Sequence, residues 1–111
     1  GEQGMRTTLT LKHVEENDIL KQHFDQRIDK VRQHLKRYSD DLTFLHGVIE
    51  KNPHKDECFA ALSLYLPTVV LHCREKGIDS LAAMNSSFLA LTRQIEKHKA
   101  KLTREKRRKE R

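Results

Sequence analysis

The run DSLAAMNSSFLALTRQIEKHKAKLTREKRRKER, Asp79 to Arg111, decides how the rest of the chain is read. Leu81, Met84, Phe88, Leu91, Ile95 and Leu102 recur at helical steps, with His98 filling the step between the last two. That spacing lays one apolar stripe along a helix, and such a stripe needs an apolar surface to cover it. Asp79 stands where an N-cap belongs, its carboxylate placed to accept from free N–H groups of the first turn. From Lys97 the other faces turn cationic, through Lys97, Lys99, Lys101, Arg104, Lys106, Arg107, Arg108, Lys109 and Arg111. The stripe stops at Leu102, so the residues beyond it have no core to join. The sequence therefore divides into a domain, residues 1–102, and a basic tail, residues 103–111.

Working outward, the charge of the whole chain has the same origin. Net charge is +6 over 111 residues. Residues 97–111 hold nine Lys and Arg against two Glu, leaving thirteen against fourteen in all the rest. A nearly neutral body thus carries a cationic arm, and such an arm seeks a polyanion, nucleic acid first. Like charges at that density repel one another and resist ordering without a partner, so fraying is expected past Leu102.

Upstream, Thr7 to Lys12 alternates Thr with Leu at the period of a strand with one apolar face. Asn17 and Asp18 mark a helix start. Leu20, Phe24, Ile28, Val31, Leu35 and Tyr38 then form a second stripe, predicting a helix to about Tyr38. Three strands follow, over Thr43 to Lys51, Glu57 to Leu66 and Val69 to Glu75, joined by Asn52-Pro53 and Pro67-Thr68. Such short connectors predict an antiparallel meander. The order is β-α-β-β-β-α: an α+β two-layer sandwich, a four-stranded sheet with two helices on one face. If the first two strands are parallel neighbours, the crossover between them is expected to be right-handed. Gly1 to Gly4 receive no fold role.

Several functions are not expected. Cys58 and Cys73 match neither a disulfide framework nor a zinc motif, and read as reduced, buried thiols. The seven histidines are scattered; His23 and His34 share a helix face beside the stripe, which fits packing better than metal binding. No nucleophile–base pairing, Gly-rich phosphate loop or carboxylate pair stands out, so neither an enzyme nor a cofactor or metal site is expected. No apolar run is long enough to cross a bilayer and no secretory signal pattern opens the chain, which reads as cytoplasmic. With no Trp, two Tyr and four Phe, most of them at core-facing positions, base stacking by a sheet of the RRM type is not expected either.

Certain segments resemble a known family. Glu50-Lys51 with His54, Asp79-Ser-Leu-Ala-Ala-Met, and above all Arg93-Gln-Ile-Glu-Lys-His-Lys-Ala-Lys-Leu102 are similar to the ribosome hibernation promoting factors. These are also called ribosome-associated inhibitor or sigma-54 modulation proteins. Val14-Glu15 fits as well, and the resemblance spans residues 7–102. It implies a fold like a double-stranded-RNA-binding domain, seated on the small ribosomal subunit where messenger and transfer RNA sit. It further implies that basic helix faces contact rRNA, so that translation stops in a hibernation or stress response. Matched by position, the RNA-binding candidates are Lys21, Arg27 and Lys30 on the first helix, and Arg93, Lys97, Lys99 and Lys101 on the second. Arg104, from the tail, joins them. The chain departs from the family in having Ala90 where a lysine is usual and an apolar hairpin from Leu64 to Val70, and no C-terminal dimerisation domain is expected. The resemblance is thus to the short form.

Lys and Arg suit a phosphate-lined channel because neutralising phosphates releases condensed counterions. Such contacts position a protein without reading sequence. The partner expected is the rRNA of the small ribosomal subunit, with no small-molecule substrate and no membrane, and the free chain is expected to be a monomer. Two other readings follow from the same residues: a double-stranded-RNA-binding module acting elsewhere, and a protein-interaction regulator of the sigma-modulation type. The first is opposed by the negative charge opening the last helix, where that module carries lysines.

Overall fold

The computed structural model describes residues 5–110, so Gly1–Gly4 and Arg111 lie outside the described residues. Its elements are β1 (Arg6–Lys12), α1 (Asp18–His34), a 3₁₀ turn (Asp40–Leu42), β2 (Phe44–Lys51), β3 (Cys58–Tyr65), β4 (Val70–Gly77) and α2 (Ser80–Lys109). The sheet order is β1-β2-β3-β4. β1 runs parallel to β2, and β2, β3 and β4 form the expected antiparallel meander.

Strand alternation divides the sheet into two faces. Leu45, Gly47 and Ile49 of β2, and Cys58, Ala60, Leu62 and Leu64 of β3, are buried under the helices. Leu20, Phe24, Ile28 and Val31 of α1 and Met84, Phe88, Leu91 and Ile95 of α2 complete the core. Each wholly buried side chain of this size contributes about 1.5–3 kcal/mol. A charge pair on an exposed helix face contributes only about 0.2–0.5 kcal/mol. Packing of the stripes therefore fixes which way each helix faces, and the cations occupy what is left.

Both predicted caps form. Asn17 Oδ1 accepts from Leu20 N at 2.7 Å, and Asp79 Oδ1 from Ala82 N at 2.8 Å. The end of α1 differs from expectation: it stops at His34, with Leu35 N–H donating to Arg32 O and Tyr38 N–H to Leu35 O. These shorter-range bonds reverse the chain towards Asp40, whose carboxylate accepts from the Arg32 guanidinium at 3.1 Å. Leu35 and Tyr38 still pack on the core, so the stripe outlasts the helix.

α2 continues without a break to Lys109, although none of the described residues beyond Leu102 is buried. Lys, Arg and Glu are intrinsically good helix formers, and a last turn of Lys106 to Lys109 suits the negative end of the helix dipole. At 30 residues α2 is about 45 Å long, most of the 56 Å longest dimension of the molecule. The basic segment stands off the body as an extension of a core helix.

Two glycines permit close approach. A Cβ on Gly47 would lie 3.0 Å from the Phe24 ring, so its absence lets that ring settle on the sheet. A Cβ on Gly77 would lie 2.8 Å from backbone atoms of Ala82 and Ala83, and nearer still to Ala83 N. The Cys73 thiol is buried and donates to Ser87 O at 3.1 Å; burial pushes its pKa from 9.0 up to about 11. Cys58 is likewise a buried free thiol.

The other sheet face is uncovered, and it corrects the expected placing of the aromatics. Only Phe24 and Phe88 lie fully in the core; Phe44, Phe59 and Tyr65 alternate with the buried positions and point away from the helices. A count of aromatics does not reveal which face of a strand the helices will cover.

Candidate nucleic-acid interface

α1 and α2 lie side by side. The Phe24 and Phe88 rings meet edge to face at 5.7 Å, and Arg27 Nε donates to Asn85 Oδ1 at 3.2 Å. Farther along, His34 Nδ1 lies 2.9 Å from Glu96 Oε1, and Lys99 Nζ lies 3.8 Å from the same oxygen. A shallow groove runs over these contacts, with Arg27, Lys30 and His34 on one wall and Asn85, Leu89 and Thr92 on the other. It continues past Arg37, Lys99 and Thr103 towards the free end of α2. The charged side chains lining the groove are basic among the described residues, and the Glu96 carboxylate sits against two of its lining residues, His34 and Lys99.

A second row of cations lies on α2 alone. Arg93, Lys97, Lys101, Arg104 and Arg108 follow at steps of four, four, three and four, one face of a helix. All are exposed, and none takes part in an ion pair among the described residues. Unpaired cations need shed only water to meet a phosphate.

The candidates from sequence thus fall into three places. Arg27, Lys30 and Lys99 line the inter-helix groove. Arg93, Lys97, Lys101 and Arg104 share the outer face of α2. Lys21 joins neither: it borders a hollow of about 500 Å³ between β1 and α1, with Leu9, Val14, Leu20 and Phe24. Sequence reasoning missed His34, Asn85 and Glu96, which tie the two helices together; none belongs to a stripe or a charge run. His34 is half-buried and is also held by Glu96. Among the described residues no three His, Cys, Asp or Glu side chains gather as a metal site, and no helix is long and apolar enough to cross a membrane.

A model of the family described as sigma 54 modulation protein / S30EA ribosomal protein matches residues 7–103. The chain belongs to this family. Among solved structures, the N-terminal domain of Protein Y from Thermus thermophilus superposes with a TM-score of 0.67 at 18% identity, covering 86% of this chain and 98% of that one. A ribosomal subunit interface protein from Coxiella burnetii gives 0.63 at 18% identity, covering 86% and 99%. At that identity the likeness establishes the fold. No curated protein sequence matches the chain. As a sigma 54 modulation / S30EA protein it is a member of a ribosome-associated family, and the matched segment takes in α1 and α2 as far as Thr103, with all of the candidate cations but Arg104.

Proposed function

We propose that this protein is a cytoplasmic hibernation factor. It occupies the messenger and transfer RNA channel of the small ribosomal subunit, contacts rRNA through its basic helix faces, and so holds translation off. The observation that carries the reading is the exposed, unpaired row Arg93, Lys97, Lys101 and Arg104, set beside a basic groove that reaches the neighbouring helix. Family membership supplies the ribosome as partner, and the Coxiella relative is itself described as a subunit interface protein. An extended helix overhanging the domain suits a narrow channel walled by phosphates. The double-stranded-RNA alternative is weaker, because the start of α2 is occupied by the Asp79 carboxylate.

Cosedimentation with purified small subunits tests the reading. At low salt the protein pellets with the subunit. Release on raising salt follows a log–log slope on the order of −5 for about seven phosphate contacts. Protein left in the supernatant, or undiminished binding by a chain with Lys97, Lys99 and Lys101 changed to Glu, overturns it.

A further inference from the structure

The uncovered face of the sheet has an order that a merely solvated surface does not require. At one end Phe44 and Tyr65 are cross-strand partners with ring centroids 5.7 Å apart, and the Arg6 guanidinium lies 5.7 Å from the centre of the Phe44 ring. At the other end the Arg74 guanidinium sits 4.0 Å over the Phe59 ring. Between these ends runs a polar row in which His46 Nδ1 is bonded to the Thr8 hydroxyl and His72 Nδ1 to the Ser63 hydroxyl. Both imidazoles are thereby oriented, with Nε2 left for another partner. Among the described residues the face carries Arg6, Lys12, Arg74 and Lys76 against a single carboxylate, Glu50.

We propose that this face binds a short single-stranded RNA segment, apart from the helix surface and independently of the reading above. Planar side chains and guanidinium planes are the surfaces on which unpaired bases stack, and four-stranded sheets with such a face take on the order of three bases. The cations give the face the sign that phosphates require. A second copy of the chain fits less well, because a self-complementary contact would bring this positively charged face against itself. Tyr65, 44% exposed, and the half-buried Phe44 offer ring surface at one end, and the Arg74 guanidinium stacked on Phe59 offers its plane at the other, about 20 Å away along β3. A bound strand would cross the sheet with a base on each platform and the imidazole row beneath the bases between them.

The chain has two tyrosines and no tryptophan, so Tyr38→Phe leaves Tyr65 as the sole fluorescent reporter. That variant is titrated with an oligouridylate of about a dozen nucleotides. The expected result is saturable quenching of Tyr65, weakened about fivefold or more by Phe44→Leu and by the surface change Arg74→Gln. The quenching amplitude at saturation is retained when Lys97 and Lys101 are changed to Glu. Absence of quenching, or quenching lost with the helix lysines and indifferent to both Phe44→Leu and Arg74→Gln, overturns the proposal. So does a dimer in sedimentation equilibrium that shields Tyr65 from quenching by iodide, which would give the face to a second copy.

Discussion

His34 on α1 and Glu96 on α2 meet at 2.9 Å, and the same carboxylate oxygen lies 3.8 Å from Lys99. One acidic side chain therefore links the two helices and partly neutralises the groove proposed to meet RNA. Glu96 is about half exposed, so the contact contributes little to stability, roughly 0–1 kcal/mol. Glu96→Gln is expected to leave the urea midpoint within that range. It should tighten cosedimentation with small subunits, because Lys99 and the groove lose their counter-charge. Weaker binding by this variant would show that Glu96 orients the groove and does not oppose its charge.

Gly77 ends β4 against the first turn of α2, where any Cβ would press on the backbone of Ala82 and Ala83. Backbone cannot rotate aside as a flexible side chain can. Gly77→Ala should cost about 1–3 kcal/mol, in the range of other overpacked sites, and reduce the urea midpoint accordingly. Gly47→Ala meets side chains only, beginning with the Phe24 ring at 3.0 Å, and is expected to cost less. The reverse ranking would mean that α2 shifts along the sheet more readily than Phe24 repacks.

The Cys73 thiol is neutral at physiological pH, and burial raises its pKa from 9.0 to about 11. The folded protein therefore holds this proton more tightly than the unfolded chain. Stability from the shift is fully present below pH 9 and is lost as the pH rises to 11, amounting to at most about 2–3 kcal/mol. Urea unfolding at pH 8 and pH 11, compared with Cys73→Ala, isolates the effect from other alkaline titrations. The parent should lose more stability than the variant over that interval. The same burial predicts slow reaction of Cys73 with thiol reagents at neutral pH.

Much of this architecture is legible in the amino-acid order, because apolar periodicity of two and of three-to-four is imposed by burial itself. The Leu9/Leu11 alternation, the two stripes, and the Asn17 and Asp79 caps all reappear in space. The helix boundary at His34 was hidden because Leu35 and Tyr38 keep the apolar rhythm while the backbone has already turned. The division of the cations was hidden for another reason. A stripe says which face of a helix is buried, but not which flank adjoins the next helix. Lys21 and Lys30 look equivalent in a charge run, yet the packing of α1 between β1 and α2 sends them to opposite flanks. Nor does a single strand show that its outward aromatics will share an uncovered face with those of its neighbours.

The end of α2 gives a prediction in which shape and stability part company. Helical geometry continues to Lys109, but every described residue after Leu102 is exposed and contributes nothing to the core. Deleting residues 103–111 should leave the urea midpoint unchanged within about 0.5 kcal/mol, the range of surface changes. Amide exchange after Leu102 should show low protection, since an isolated helix end is held only by its own bonds. The same deletion should weaken binding to small subunits. If it lowers the midpoint instead, the extension is part of the domain and not an arm.

The separation of Lys21 from the other cations yields a paired test of the proposed RNA contact. Lys97 sits in the unpaired row on α2, whereas Lys21 borders the hollow between β1 and α1. A phosphate contact removed from folded or single-stranded RNA reduces the magnitude of the log–log salt slope by roughly 0.7. Lys97→Gln should therefore lower both the affinity for small subunits and the slope by about that amount. Lys21→Gln removes the same formal charge from the chain and should leave the slope unchanged, with only a small loss through the long-range field. Equal slopes for the two variants would mean that net charge, and not the row on α2, governs the association. A larger effect from Lys21 would transfer the interface to the β1 side of α1, where Arg93 and Lys97 do not reach.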